Sequence, residues 1–119
     1  MKMRGIDHLN IRVSNLERSS EFYCKVLGMR EAFRELPRAV FLRCGNDLLT
    51  LARTKRQIRT GGMHFGFEMR TSAQVDRWVR WLKKNHVTLT SEREEESGRG
   101  VYFRDPDGHL IEIYYERKE

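Results

Sequence analysis

Cysteine is scarce in this chain. Cys24 and Cys44 are the only two, and no CxxC spacing joins them to a metal or redox motif. A disulfide-stapled scaffold is therefore excluded, and both are expected to be free thiols in a reducing compartment. Long apolar runs are also missing. None approaches the roughly 20 residues that a membrane-spanning helix needs. The opening Met1-Lys2-Met3-Arg4-Gly5 leads into a strand pattern with no apolar signal core, so the expectation is a cytoplasmic protein with no membrane contact. A chain of 119 residues can bury one core or two small fused modules, not two independent domains. Apolar residues make up 39% and charged residues 34%, which describes a well-solvated globular chain. The net charge is +6, and Arg53, Lys55, Arg56 and Arg59 concentrate part of it. No aromatic residue interleaves with them, as stacking on single-stranded nucleic acid would require. That stretch reads as a solvated linker, nucleic acid is not the expected partner, and the charge favours an anionic small molecule.

What the chain has is a repeat. His8-Leu-Asn-Ile-Arg-Val13 alternates apolar and polar residues, the mark of a half-buried strand. Ser14 with Glu17 reads as a capping box, and a helix is expected from Asn15 to Leu27, burying Leu16, Tyr23, Val26 and Leu27 and ending at Gly28. The second half repeats the plan: His64-Phe-Gly-Phe-Glu-Met69 alternates, Thr71 with Gln74 is a second capping box, and Val75, Trp78, Val79 and Leu82 form a helical stripe that ends at Asn85. Short strands follow each helix, near Arg30–Arg34, Ala39–Cys44 and Leu48–Arg53, and near Thr88–Arg93, Gly100–Arg104 and Leu110–Tyr115. Gly45-Asn46-Asp47 and Asp105-Pro106-Asp107-Gly108 make matching turns, whereas Glu94–Arg99 reads as an acidic loop without a counterpart. Each half is thus β-α-β-β-β, with module one at about 4–56 and module two at about 62–117. The fold expected is α+β, the modules pairing into one curved, partly open mixed sheet with a helix outside each half, because neither half can cover its own sheet.

Alternation then assigns faces. Leu9, Ile11 and Val13, like Phe65, Phe67 and Met69, turn to the helices, and so do Ile111, Ile113 and Tyr115. His8, His64 and Glu112 are left on the concave side. Two imidazoles and a carboxylate suit Fe, Mn, Zn or Ni, and three protein ligands leave positions open for water and substrate.

The whole chain resembles the vicinal oxygen chelate superfamily, which includes glyoxalase I, extradiol catechol dioxygenases, fosfomycin-resistance enzymes and bleomycin-binding proteins. The residues that carry the likeness are Gly5-Ile-Asp-His-Leu-Asn-Ile-Arg-Val13, Phe22-Tyr23 with Leu27-Gly28-Met29, Met63-His-Phe-Gly-Phe67, and Val101-Tyr-Phe-Arg-Asp-Pro-Asp-Gly-His-Leu-Ile-Glu112. The resemblance implies one divalent metal on His8, His64 and Glu112, chelation of two adjacent substrate oxygens, and a homodimer.

Individual residues discriminate among the members. Thr50 falls opposite Glu112 in the repeat, where glyoxalase I has a glutamate, so only three ligands are expected. Tyr102 stands ten residues before Glu112, as in the extradiol dioxygenases, but Ser91–Glu96 lacks the histidine those enzymes need. Fosfomycin-resistance enzymes share the three ligands and the tyrosine. They differ in having threonine where Asn10 stands, and a serine- and lysine-bearing loop where Glu94–Arg99 is acidic. The bleomycin-binding members lack the ligands, so sequestration without catalysis is the non-enzymatic alternative. The expectation is a metal-dependent lyase, dioxygenase or transferase acting on a small oxygen-rich, anionic substrate. Tyr102 is its candidate proton donor or oxyanion partner, and Asn10, Phe41, Thr50 and Arg104 are candidate substrate contacts. Arg43 reads as a rim charge, Trp78 as core and Trp81 as a subunit contact. His86 and His109 read as a helix end and a turn.

Overall fold

A computed structural model describes residues 1–118. The chain divides into two compact units, Met1–Arg59 and the remainder from Thr60 onward. The class is α+β, and each unit carries the expected β-α-β-β-β order. No helix is long and apolar enough to cross a membrane among the described residues.

The first unit holds β1 (His8–Val13), α1 (Leu16–Glu21) continued by a π-helical turn (Phe22–Val26), β2 (Arg30–Glu35), β3 (Ala39–Cys44) and β4 (Asp47–Arg53). Its sheet runs β1-β4-β3-β2, with β1 parallel to β4 and the other pairs antiparallel. The second unit holds β5 (His64–Glu68), α2 (Ser72–Lys84), β6 (Leu89–Glu95), β7 (Gly98–Arg104) and β8 (Leu110–Glu116), ordered β5-β8-β7-β6 with the same polarity. The eight strands therefore form two four-stranded ladders, one inside each unit.

Each sheet buries one face under its own helix. Ile11, Val13, Val40, Leu42, Leu49 and Leu51 are buried in the first unit together with Leu16 and Tyr23. Val101, Phe103, Ile111 and Ile113 are buried in the second with Val75, Val79 and Leu82, and α2 packs on β7 and β8. A fully buried aliphatic or aromatic side chain contributes roughly 1.5–3 kcal/mol. The outer strands β2 and β6 are mostly exposed and rich in charge, which protects their open edges from pairing with other chains.

Four local expectations are corrected. The first helix is capped by Asn15, whose Oδ1 accepts from the Arg18 N–H at 2.9 Å, while Ser14 Oγ accepts from the Arg18 guanidinium at 2.8 Å. Ser19 and Ser20 are buried at i+3 and i+4 from Leu16; Val26 at the end of the π turn and Leu27 after it are half-buried, while Met29 is buried. Residues 94–99 are not a loop: β6 and β7 run through them, with Glu95 facing Gly98 and only Glu96-Ser97 turning. Residues 36–38 turn between β2 and β3 at the equivalent place, so the counterpart exists. At the end of α2, Asn85 is the residue that caps the helix, but the left-handed residue is His86 at φ 62°, matching Gly28 at φ 75°. The second cap forms as expected, with Thr71 Oγ1 accepting from Gln74 N–H at 3.2 Å and Gln74 Oε1 accepting from Arg70 N–H at 2.9 Å. Trp78 is half-buried, and Trp81 lies off the stripe at 41% exposure.

Candidate functional site

The repeat is exact at the level of the ladders. In the second unit Gly66 pairs with Glu112, which pairs with Tyr102. In the first, Asn10 pairs with Thr50, which pairs with Phe41. The face away from each helix thus carries one central residue with a flanking residue on either side, and His8 and His64 open the matching strands.

In the second unit His64, Tyr102 and Glu112 come together. The His64 ring meets the Tyr102 ring edge-on, with centroids 5.6 Å apart at 74°. Tyr102 and Glu112 share a hydrogen bond. Partial burial, with the Glu112 charge beside it, raises the Tyr102 hydroxyl above the ordinary phenol range, and Arg93 pulls it part of the way back. Tyr102 is therefore a proton-bearing phenol at neutral pH. Tyr114, on the same face, is raised by burial and by Glu68, Glu112 and Glu116.

Two glycines keep Glu112 open. A Cβ at Gly66 would lie 3.3 Å from both the Cβ and the carbonyl oxygen of Glu112, and one at Gly100 would lie 3.2 Å from Glu112 Oε2. A side chain at Gly100 would crowd the carboxylate and one at Gly66 the stem and backbone of Glu112, so glycine clears the ground around that residue.

In the first unit His8 is exposed, and its Nδ1 lies 3.1 Å from Asp7 Oδ2. Such a carboxylate partner orients an imidazole and directs its other nitrogen outward. Thr50 is buried at 6% exposure, Asn10 is exposed, and Phe41 stacks on Phe33 with ring centroids 4.2 Å apart. Arg43 is exposed on the strand that carries Phe41. Arg104 is exposed and donates to the Gly108 carbonyl at 2.7 Å, which ties it to the turn. That turn is held by buried Asp105, whose Oδ1 accepts from the Asp107 and His109 N–H groups at 2.9 Å each. His86 is exposed. Cys24 and Cys44 are free thiols, both raised by burial.

His64 and Glu112 are two donors of the right chemistry on one open face. Among the described residues, no three His, Cys, Asp or Glu side chains gather closely enough to hold a metal ion.

Sequence reasoning passed over Arg93. It faces Gly100 across the β6–β7 ladder, on the Tyr102 side, and its side chain is 27% exposed. The signal was the two-residue turn: once Glu96-Ser97 is placed, strand pairing puts Arg93 opposite Gly100. Reading the segment as a loop hid it.

A family model, the Glyoxalase/Bleomycin resistance protein/Dioxygenase superfamily, matches residues 5–113. The chain belongs to this superfamily. It is similar to the metallothiol transferase FosB of Staphylococcus haemolyticus (strain JCSC1435), 30% identical over 94% of this chain and 84% of that protein. Its fold is that of the fosfomycin resistance protein FosX from Listeria monocytogenes, at TM-score 0.84 and 21% identity, covering 98% of this chain and 95% of that one. It is equally that of the lactoylglutathione lyase from Agrobacterium tumefaciens, at TM-score 0.84 and 22% identity, covering 96% and 95%. A variant of the Listeria protein was crystallised with Mn(II) and 1S,2S-dihydroxypropylphosphonic acid. The transferase and the lyase are enzymes by name, in agreement with the metal-dependent enzyme expected from the sequence.

Proposed function

We propose that this chain is a metal-dependent enzyme of the fosfomycin-resistance kind, holding one divalent cation on His64, Glu112 and His8. Its substrate is a small, oxygen-rich anion that offers two neighbouring oxygens. The observation that carries this reading is the open cluster of His64, Tyr102 and Glu112, flanked by Gly66 and Gly100. A bound cation supplies Lewis acidity, stabilising negative charge on the chelated oxygens.

The chain's own residues do the rest. Tyr102, kept protonated by burial and by Glu112, presents a hydroxyl that can donate to a substrate oxygen as charge grows there. Asn10, Phe41 and Thr50 give the first module a face with a polar arm, a ring and a buried hydroxyl but no carboxylate. Arg104, held by the Gly108 carbonyl, stands as a fixed cation at the end of β7.

Three points support the fosfomycin-resistance reading over its alternatives. Thr50 leaves no fourth ligand, Ser91–Glu96 supplies no histidine for ring cleavage, and the relative at 30% identity is a metallothiol transferase. A thiol is accordingly the proposed co-substrate. A homodimer, which the family resemblance implies, is part of the proposal, with His8 supplied by a second copy.

Elemental analysis tests the site. Purified protein should bind about one divalent metal per chain, and His64→Ala, Glu112→Gln and His8→Ala should each weaken it more than about 100-fold, beyond the usual loss for a residue that only supports a ligand. Mixing His8→Ala chains with Glu112→Gln chains should regain part of the binding, and no regain removes the shared site. Wild-type protein that binds no metal yet holds a phosphonate tightly would replace the enzyme reading with sequestration.

A further inference from the structure

The outward side of α2 carries charge of one sign. Val75, Val79 and Leu82 recur at i, i+4 and i+7 and are buried. Arg77, Trp81 and Lys84 repeat that spacing two residues later, which turns them about 200° round the helix, and Arg80 stands beside them. All four are exposed, Trp81 at 41%, and Lys83 adds a further exposed cation at the same end. Asp76, the only acid of the helix, is taken by the Arg99 guanidinium at 3.0 Å. The unit as a whole is not basic: residues 60–119 hold 10 lysines and arginines against 11 acids, and four of those 10 stand on α2. The first unit's helix does not share the pattern, since Glu17 and Glu21 are interspersed there and pair with Arg34 and Lys25.

We infer that this outward row of α2 docks on the surface of an anionic phospholipid membrane. The inference goes beyond the metal-site reading and does not depend on it. The negative potential of such a surface holds nearby lysines and arginines, and a tryptophan ring settles at the level of the headgroups. Shape selects the partner. α2 lies over β7 and β8, the two inner strands, with β5 and β6 on either side. A helix is about 10–12 Å across with its side chains, so its outer half stands out by only about 5–6 Å. The major groove of DNA is deeper, at about 8.5 Å, and the shoulders of the sheet keep the row from its floor. A single strand needs further rings for successive bases, and the row has one exposed ring. A flat surface meets the whole row from Arg77 to Lys84, about 10 Å, at once. Docked in this way, the unit turns the face with His64, Tyr102 and Glu112 away from the membrane, because that face lies across the sheet from α2. The expectation of no membrane contact follows from the lack of a long apolar run, which a spanning helix needs and a surface contact does not.

The test sediments the full chain with vesicles of phosphatidylcholine alone and of phosphatidylcholine mixed equally with phosphatidylglycerol, and follows tryptophan emission. The mixed vesicles should bind the chain and shift its emission to the blue, and the neutral ones should do neither. Salt at about 1 M should release the protein, because the screening length there is about 3 Å. Arg77→Gln, Arg80→Gln and Lys84→Gln together should keep the melting temperature and weaken binding about 100-fold, roughly fivefold for each cation lost from the surface. Trp81→Phe should abolish the blue shift. Arg53→Gln, Lys55→Gln and Arg56→Gln together remove the same charge from the other unit and should weaken binding far less. Equal weakening in the two triple variants would overturn the inference, because net charge alone would then account for the binding. So would a blue shift that survives in Trp81→Phe, failure to bind the mixed vesicles, or tighter binding to DNA through the same three cations.

Discussion

The two units are built alike and loaded differently. Matched positions in the ladders hold Asn10, Thr50 and Phe41 in one and Gly66, Glu112 and Tyr102 in the other. Charge divides the same way. The first 59 residues hold 13 lysines and arginines against 6 acids, and the remainder holds 10 against 11, so the whole excess of +6 lies in the first unit. Scaffold and chemistry are thus separable in this fold. The faces under the helices are apolar in both units, while the matched central positions of the opposite faces carry Asn10, Thr50 and Phe41 in one and Gly66, Glu112 and Tyr102 in the other. Function can be carried by exchanging a few outward residues because their neighbours in the ladder alternate away from the core.

If the cores are equivalent, matched truncations should cost alike. Phe103 and Leu42 are both fully buried, and they stand opposite Ile111 and Leu49 in equivalent registers. Phe103→Ala should destabilise by about 3–5 kcal/mol and Leu42→Ala by about 2–5 kcal/mol in denaturant titrations. A cost below about 1 kcal/mol for either would show that its unit is not held by its core, and the comparison would fail at its base.

The core half of this symmetry was legible in the sequence, because alternation at period two and a helical stripe are written in residue types. Ala39–Cys44 and the turn at Asp105–Gly108 needed nothing more. The site was half legible: His64 and Glu112 were found by face and repeat and Tyr102 by the family resemblance, and His64 and Glu112 both lie against Tyr102. What escaped depends on three-dimensional competition. The π turn at Phe22–Val26 carries no residue signature, and Tyr23 within it and Met29 just beyond are both buried. Asn15 and Ser14 both suit a cap, and only the position of Arg18 decides between them. The meeting ends of β6 and β7, at Glu94–Arg99, read as a loop because neither face is apolar there: acidic side chains and glycines carry no alternation.

An arginine stitches the helix to an outer strand in both units, from different strands. Arg34 on β2 reaches Glu17 of the first helix at 2.7 Å and also pairs with Glu31. Arg99 on β7 reaches Asp76 of the second helix at 3.0 Å and Glu92 of β6 at 3.1 Å. The Arg99 side chain is 10% exposed and that of Arg34 is 32% exposed, so the second stitch lies in the lower dielectric and also covers more apolar surface. Arg99→Ala should therefore cost about 1–3 kcal/mol, and Arg34→Ala distinctly less. Equal losses in urea midpoints would show that burial does not separate the two.

The smallest contrast lies at the helix ends and is the easiest to reverse. Gly28 and His86 hold the same left-handed turn, at φ 75° and 62°. Glycine enters that region freely, whereas a side chain with a Cβ pays about 1–2 kcal/mol for it. Nothing lies within 4 Å of a Cβ at Gly28, so Gly28→Ala should cost only the conformational part, about 1 kcal/mol. His86→Gly should do the opposite in the second unit, raising stability by about 0.5–1 kcal/mol after the greater freedom of glycine in the unfolded chain is subtracted. A thermal melt resolves both signs. If His86→Gly lowers the melting temperature, the exposed imidazole contributes more to ending the second helix than the turn costs, and the two helix ends are not equivalent after all.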